Sequence, residues 1–289
     1  VSLILNRRAL VKGAGALGAL AVLPPGLLHA APIGDPETID LAVSPTRSTK
    51  LLVWKPASPK GVVLFSTGHG SWPERYERLI SVLLGQGFVV LAPVHVDSMH
   101  YPERDKFTFL SGLPERFVDM RATGAYAAKA FPGLPVIAAG HSFGTLVSLA
   151  LGGGLPHFKA YNPAVKAVLG FSSPGKAPGL VPANAYTSVK VPVMIVTGTE
   201  DTIPPVMGRA TAAAEHLFPA ETAPAGTYAL VVEGGTHQLV DDAVRFPRTE
   251  APAQLFVDAY GLGDAKARRK LDTWKPSAGD RWTIRKAQA

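Results

Sequence analysis

The sequence predicts an α/β protein with a mostly parallel central sheet and helices on both faces. Three observations carry that expectation. Continuous apolar runs such as Val62-Val63-Leu64-Phe65, Phe88-Val89-Val90-Leu91 and Val193-Met194-Ile195-Val196 read as strands buried on both faces. Segments with helical spacing separate those runs. A hydrophobic fraction of 47% and a charged fraction of 18% over 289 residues describe a globular chain with a large core.

The elements follow in order. Thr38 to Val43 and Lys50 to Lys55 read as an opening strand pair joined by a polar turn. Val62 to Ser66 is a buried strand. Pro73 to Gly85 carries Tyr76, Leu79, Ile80, Leu83 and Leu84 on one helical side, and Gly87 ends it. Phe88 to Pro93 is the next strand, and residues 95 to 113 form a long irregular segment. Pro114 and Glu115 open a helix that Pro132-Gly133 closes. Pro135 to Ala139 is a strand, Phe143 to Leu151 an apolar helix, and Ala167 to Phe171 and Val191 to Val196 two more strands. Pro204 to Phe218 is expected as a helix, Thr227 to Glu233 as a strand and Glu250 to Tyr260 as a late helix. The basic tail from Asp264, with Trp274 and Trp282, is expected on the surface or mobile. Ser172 to Lys190 is short and rich in Pro and Gly, which leaves little room for a lid.

Residues 1–30 read as an export signal, and 31–289 as one domain. Arg7-Arg8 followed by Ala9-Leu10-Val11-Lys12 resembles a bacterial twin-arginine signal. An apolar run from Gly13 to Leu28 and the small-residue site Leu28-His29-Ala30 complete it. The run is Gly-rich, broken by Pro24 and Pro25, and short for a bilayer, which needs about twenty apolar residues. The expectation is cleavage and a periplasmic or secreted product rather than a membrane anchor. Gly13-Ala14-Gly15-Ala16-Leu17-Gly18 matches a dinucleotide fingerprint, but an arginine pair precedes it and no strand–helix–strand unit surrounds it.

Composition removes other classes. The net charge is +7, but the basic residues are scattered, with no basic stripe interleaved with aromatics, so no nucleic-acid partner is expected. The absence of cysteine excludes disulfides, thiolate metal sites and catalytic thiols. His95, Asp97 and His100 are three candidate metal ligands in one loop without a fourth. They are expected at a pocket rim or in solvent, and neither a metal nor a cofactor is expected.

The chemistry centres on Gly140-His141-Ser142-Phe143-Gly144. In a G-x-S-x-G turn between strand and helix, the serine hydroxyl projects above the sheet edge. Glycines two positions either side let the chain turn without a clash. The N–H of Phe143, at the helix start, is free to hold an oxyanion. Serine needs a base, and in this arrangement an acid and then a histidine follow at later strand ends. Val193 to Val196 runs on to Glu200-Asp201, and Thr227 to Glu233 runs on to Gly234-Gly235-Thr236-His237. Glu200 and Asp201 are both candidates; Asp201 opens Asp-Thr-Ile-Pro-Pro, which resembles the acid loop of α/β-hydrolases, where Pro follows the acid, and is favoured on that resemblance. His237 is one of eight histidines, and the only one beyond Asp201 that directly follows a strand.

With these motifs the chain resembles α/β-hydrolase serine esterases. Phe65-Ser66-Thr67-Gly68-His69-Gly70, Arg116-Phe117-Val118-Asp119-Met120-Arg121 and Gly140 to Gly144 are similar to the branch of platelet-activating-factor acetylhydrolases and dienelactone-hydrolase-like esterases. The resemblance implies an α/β-hydrolase fold with a small or absent lid, and the triad Ser142, Asp201 and His237. It also implies an oxyanion hole from the N–H groups of Phe143 and His69. Thr67 stands where that branch has His, so Gly70 is the alternative donor. Trp72, Tyr101, Phe107 and Phe109 are candidate substrate contacts, with core or rim packing the alternative. The implied activity is hydrolysis of a small-molecule carboxylic ester. The same triad would also serve a peptidase, amidase, thioesterase or acyltransferase, and a non-catalytic binding protein is the remaining alternative.

Overall fold

A computed structural model describes residues 33–177, 179–206 and 209–287. The segment read as an export signal lies outside the described residues.

The chain opens with β1 (Glu37–Ser44) and β2 (Arg47–Trp54), an antiparallel pair. Next come β3 (Gly61–Ser66), a 3₁₀ turn over Pro73–Tyr76 that leads into α1 (Glu77–Gly85), and β4 (Phe88–Pro93). α2 covers Phe109–Ala130, five residues earlier than Pro114 suggests. Thr108 is its true cap. The Thr108 hydroxyl accepts the Ser111 N–H, and the Ser111 hydroxyl accepts the Thr108 N–H. Pro114 sits inside the helix.

β5 (Val136–His141) leads through Ser142 into α3 (Phe143–Leu151), followed by β6 (Val165–Phe171) and β7 (Val193–Glu200). The region read as one helix from Pro204 to Phe218 is different. It forms the short antiparallel pair β8 (Ile203–Val206) and β9 (Arg209–Thr211), a 3₁₀ turn over Ala213–Leu217 and the short α4 (Phe218–Thr222). Pro204 and Pro205 cannot donate backbone hydrogen bonds, and a two-stranded pair leaves edges where proline is tolerated. β10 (Thr227–Thr236), α5 (Pro247–Phe256), a π-turn over Val257–Gly261, α6 (Ala265–Thr273) and β11 (Arg281–Arg285) complete the chain.

The nine-stranded sheet runs β1-β2-β4-β3-β5-β6-β7-β10-β11. β4 to β10 are mutually parallel, and the antiparallel strands lie at its two ends. Val62, Leu64, Val168 and Ile195 face one core layer, with α2 and α3 residues. Val63, Phe65, Leu169 and Met194 face the other, with α1 and α5 residues. Burial on both faces is why these strands carry unbroken apolar runs. The tail read as a surface segment supplies the last edge of the sheet. Trp282 packs at 5.7 Å on Tyr228 of β10 and at 5.0 Å, edge to face, on Trp274. Among the described residues no helix is long and apolar enough to cross a membrane.

Strand order sets the place of the site. β3 is followed by β4 on one side and β5 pairs on its other side, so the loops after β3 and β5 open a crevice at the carboxyl ends of the strands.

Candidate active site

Ser142 stands between β5 and α3 with φ 54° and ψ −119°, a conformation that costs a non-glycine residue on the order of 1–3 kcal/mol. The close approach of α3 to β3 enforces it. A Cβ on Gly144 would meet the Ser66 carbonyl oxygen at 1.9 Å. Gly144→Ala is therefore expected to push α3 outward and to lower kcat at least about 10²-fold, the loss that follows misplacing a reacting group by an ångström. Steady-state kinetics with a melting curve measures it; wild-type kcat in a well-folded variant would refute it.

β7 and β10 close in a similar way. A Cβ on Gly198 would lie 2.0 Å from the Gly235 carbonyl oxygen, so the strand ends touch backbone to backbone. That contact brings the residues after them together. Asp201 Oδ1 lies 2.8 Å from His237 Nδ1, and His237 Nε2 lies 2.9 Å from Ser142 Oγ. The Asp201 carboxylate is buried and meets four side-chain donors. His237 Nδ1 and His216 Nε2 approach Oδ1, while the hydroxyls of Ser172 and Thr197 donate to Oδ2. Burial opposes its charge, but the hydrogen bonds from His216 and His237 outweigh it and hold the carboxyl below the usual carboxylate range. His216 was missed as a site residue because its 3₁₀ turn gives no spacing signal. Glu200, the other acid considered, is exposed.

The loop after β3 is held from below. Arg116, fully buried, donates through Nη1 to the Thr67 carbonyl and through Nη2 to the Gly68 carbonyl. Its Nε and Nη2 also grip Asp97, each at 2.8 Å. Burial resists the Asp97 charge, yet the Arg116 guanidinium and the His69 hydrogen bond keep that carboxyl well below its ordinary range. His95 and Asp97 are thus core residues, and the rim or solvent position expected for them is corrected. A buried arginine needs its carboxylate beside it. His95 Nδ1 donates to Asp119 at 2.8 Å, and Nε2 accepts from the Ser66 hydroxyl at 2.9 Å. His100 is exposed and stacks on Trp72 at 4.9 Å.

The same loop offers N–H groups beside Ser142. Gly68 N–H donates to Tyr76 and Gly70 N–H to Asp97 Oδ2 at 3.1 Å. Neither His69 N–H nor Phe143 N–H has an acceptor among the described residues.

His141, the residue before Ser142, links the two sides. Its Nε2 lies 2.9 Å from the His237 carbonyl, so Nε2 carries the proton, and Nδ1 accepts from the Tyr76 hydroxyl at 3.0 Å. Tyr76 in turn accepts the Gly68 N–H at 2.9 Å. Burial and the nearby His237 push the His141 imidazole down to about 3 from 6.5. Between pH 6.5 and about 3 the unfolded chain takes up a proton that the folded chain refuses. The stability is therefore complete above pH 6.5 and is lost as pH falls. By pH 4 the loss is roughly 3 kcal/mol. Urea midpoints between pH 7 and pH 4 should fall for the wild type and fall less steeply for His141→Gln. Equal slopes would refute this assignment.

Above Ser142 lies a cavity of about 230 Å³. Phe109, Phe143, Ala177, Leu180 and Ile203 supply its apolar wall, with Arg75 and Gln238 among its polar lining. The wall draws on the loop after β6 and on the β8–β9 pair, and among the described residues no larger insertion contributes to it. His69 and His237 line it. Trp72 and Tyr101, expected as substrate contacts, do not. Trp72 is taken up by His100, and Tyr101 is packed in the core against Phe107 at 6.0 Å. Phe109, expected with them among the pocket aromatics, does line it, and Phe107 does not.

Comparison with known proteins follows the same lines. No family model matches the chain. Human monoglyceride lipase is 32% identical over 97 residues, which is 33% of this chain and 31% of that protein. The chain thus matches about a third of that relative's length. Among solved structures, apo Thermogutta terrifontis esterase 2 aligns with TM-score 0.57 and 17% identity, over 82% of this chain and 98% of its own. The same esterase phosphoramylated by tabun aligns with TM-score 0.59 and 16% identity over the same shares. A thermostable carboxyl esterase from Bacillus coagulans, in complex with glycerol, aligns with TM-score 0.61 and 14% identity over 78% of this chain and 98% of that one. Likeness at such low identity speaks to architecture, and the architecture of this chain is the α/β-hydrolase fold.

Proposed function

We propose that this protein is a serine hydrolase that cleaves small-molecule carboxylic esters through an acyl-enzyme on Ser142. The observation that carries the reading is the line Ser142 Oγ, His237 Nε2, His237 Nδ1, Asp201 Oδ1, with contacts of 2.9 and 2.8 Å, beneath an open apolar cavity. Esterases among the structural neighbours and a lipase among the sequence relatives support it.

In this reading His237 takes the Ser142 proton as Oγ attacks the ester carbonyl. The Asp201 carboxylate fixes the Nδ1–H tautomer and stabilises the imidazolium that forms. The N–H groups of Phe143 and His69 receive the oxyanion, while that of Gly70 stays with Asp97. The tetrahedral species expels the alcohol, which takes its proton from His237. Water, deprotonated by the same imidazole, then releases the acid and restores Ser142.

A fluorophosphonate probe should label the folded protein at Ser142, identified by peptide mass spectrometry, and p-nitrophenyl acetate or butyrate should be turned over. An unlabelled Ser142 in a folded sample would sink the assignment.

A further inference from the structure

A second imidazole–carboxylate pair stands at the same pocket. His69 Nδ1 lies 2.8 Å from Asp97 Oδ2. Asp97 is 3% exposed, and the two Arg116 contacts and the Gly70 N–H hold it in place. An ionised carboxylate only accepts, so the shared proton sits on Nδ1. The neutral ring then keeps a bare lone pair on Nε2. The two ring nitrogens face away from each other, so turning Nδ1 towards buried Asp97 turns Nε2 outward. The His69 side chain is 44% exposed and lines the cavity, and Nε2 has no hydrogen-bond partner among the described residues.

Its setting is apolar. The ring stands edge-on to Phe109 at 5.1 Å and to Phe143 at 6.1 Å, and those two phenyls stack at 4.6 Å. Of the other polar side chains of the cavity, Ser71 Oγ is buried without a hydrogen-bond partner among the described residues, while four more are engaged. Tyr76 and His141 hold each other, and Arg75 holds Asp241 and Gln238. Acyl transfer on Ser142 leaves Nε2 of His69 unused, since His237 moves the proton and only the backbone N–H of His69 faces the oxyanion.

We infer that His69 Nε2 is a hydroxyl-binding subsite, and that the esters this site takes carry a free hydroxyl near the reacting carbonyl. The inference rests on the serine-hydrolase reading. The hydroxyl can belong to a hydroxy acid or to a partly esterified polyol, because either donates the same hydrogen bond to Nε2. The fixed acceptor would rank such esters above their deoxy counterparts by about tenfold, the worth of one net hydrogen bond.

The test uses two matched pairs at pH 8. One is p-nitrophenyl 3-hydroxybutyrate against p-nitrophenyl butyrate, and the other is glycerol monobutyrate against propyl butyrate. The expected result is a kcat/KM ratio near ten in at least one pair, and the pair that shows it names the side that carries the hydroxyl. His69→Leu should bring that ratio close to one. His69→Gln, whose amide oxygen is still an acceptor, should keep part of it. Ratios cancel any effect of the substitution on the shared chemistry. A wild-type ratio near one in both pairs, or a ratio that survives in His69→Leu, overturns the inference while hydrolysis itself stands. No Ser142-dependent turnover of any of the four esters overturns the hydrolase reading, and the inference with it.

Discussion

Ser142→Ala is expected to lower kcat on p-nitrophenyl esters by about 10⁶-fold while the protein stays folded. The two halves of that expectation come from different parts of the structure. Ser142 holds its unusual backbone angles because α3 begins against the end of β3 and because its N–H is bonded to the Phe171 carbonyl at 2.8 Å. Alanine in the same turn meets the same backbone strain and loses only the hydroxyl. The hydroxyl's hydrogen-bond partner, His237 Nε2, is left at the cavity, where water can replace it. Chemically the loss is complete. The proposed oxyanion donors Phe143 and His69 remain, but no atom is left to form the acyl-enzyme, so only slow attack by water is available. The measurements are pre-steady-state release of p-nitrophenol with ester in excess, which should show no burst, and a thermal midpoint close to that of the wild type. A burst of wild-type size would refute the role given to Ser142.

The strands, the glycine-flanked turn at Ser142 and the strand-end positions of Ser142, Asp201 and His237 were legible because each is written in local sequence. A strand buried on both faces must be apolar throughout, as Val62 to Phe65 and Val193 to Val196 are. A sharp strand-to-helix turn needs glycine where α3 meets β3, as at Gly144. Other features failed for equally physical reasons. The start of α2 was missed because Ser111, rather than a Glu or Gln, completes the cap, and Pro114 imitates a first-turn proline. The tail misled because Arg281 to Arg285 is basic, although its alternation suits an edge strand on β10.

Beneath the site, long-range pairing decides. Arg116 and Asp97 meet only when α2 packs under the loop after β3, and no periodicity marks two charged residues nineteen positions apart. The Gly68–Tyr76–His141–His237 chain of contacts joins the loop after β3, the 3₁₀ turn before α1, the end of β5 and the loop after β10, and has no signature in any one of them. His216 reaches Asp201 for the same tertiary reason. The residues proposed to perform chemistry sit at strand ends, and strand ends can be read. Residues that hold them are chosen by packing, which the linear pattern does not record.

Asp201→Asn separates charge from geometry and should lower kcat by about 10⁴-fold. The four-donor pocket explains why the fold would survive. Ser172 and Thr197 present hydroxyls to Oδ2. A hydroxyl that donates to a carboxylate oxygen can rotate and accept from an amide instead. The Asn carbonyl then keeps the Oδ1 position towards His237 and His216, with shape and volume preserved. What disappears is the negative charge that stabilises the His237 imidazolium while Ser142 Oγ is bonding to carbon. The penalty falls on the transition state, so kcat should drop with little change in KM. If the amide instead turns its NH₂ towards His237, it favours the wrong tautomer. The proton then moves to Nε2, which can no longer accept from Ser142, and kcat again falls. Both arrangements predict near-wild-type melting with a large kinetic loss, and slower reaction with a fluorophosphonate by a similar factor. A variant that melts like the wild type and retains more than about a tenth of its kcat would show that the Asp201 charge is not what His237 depends on.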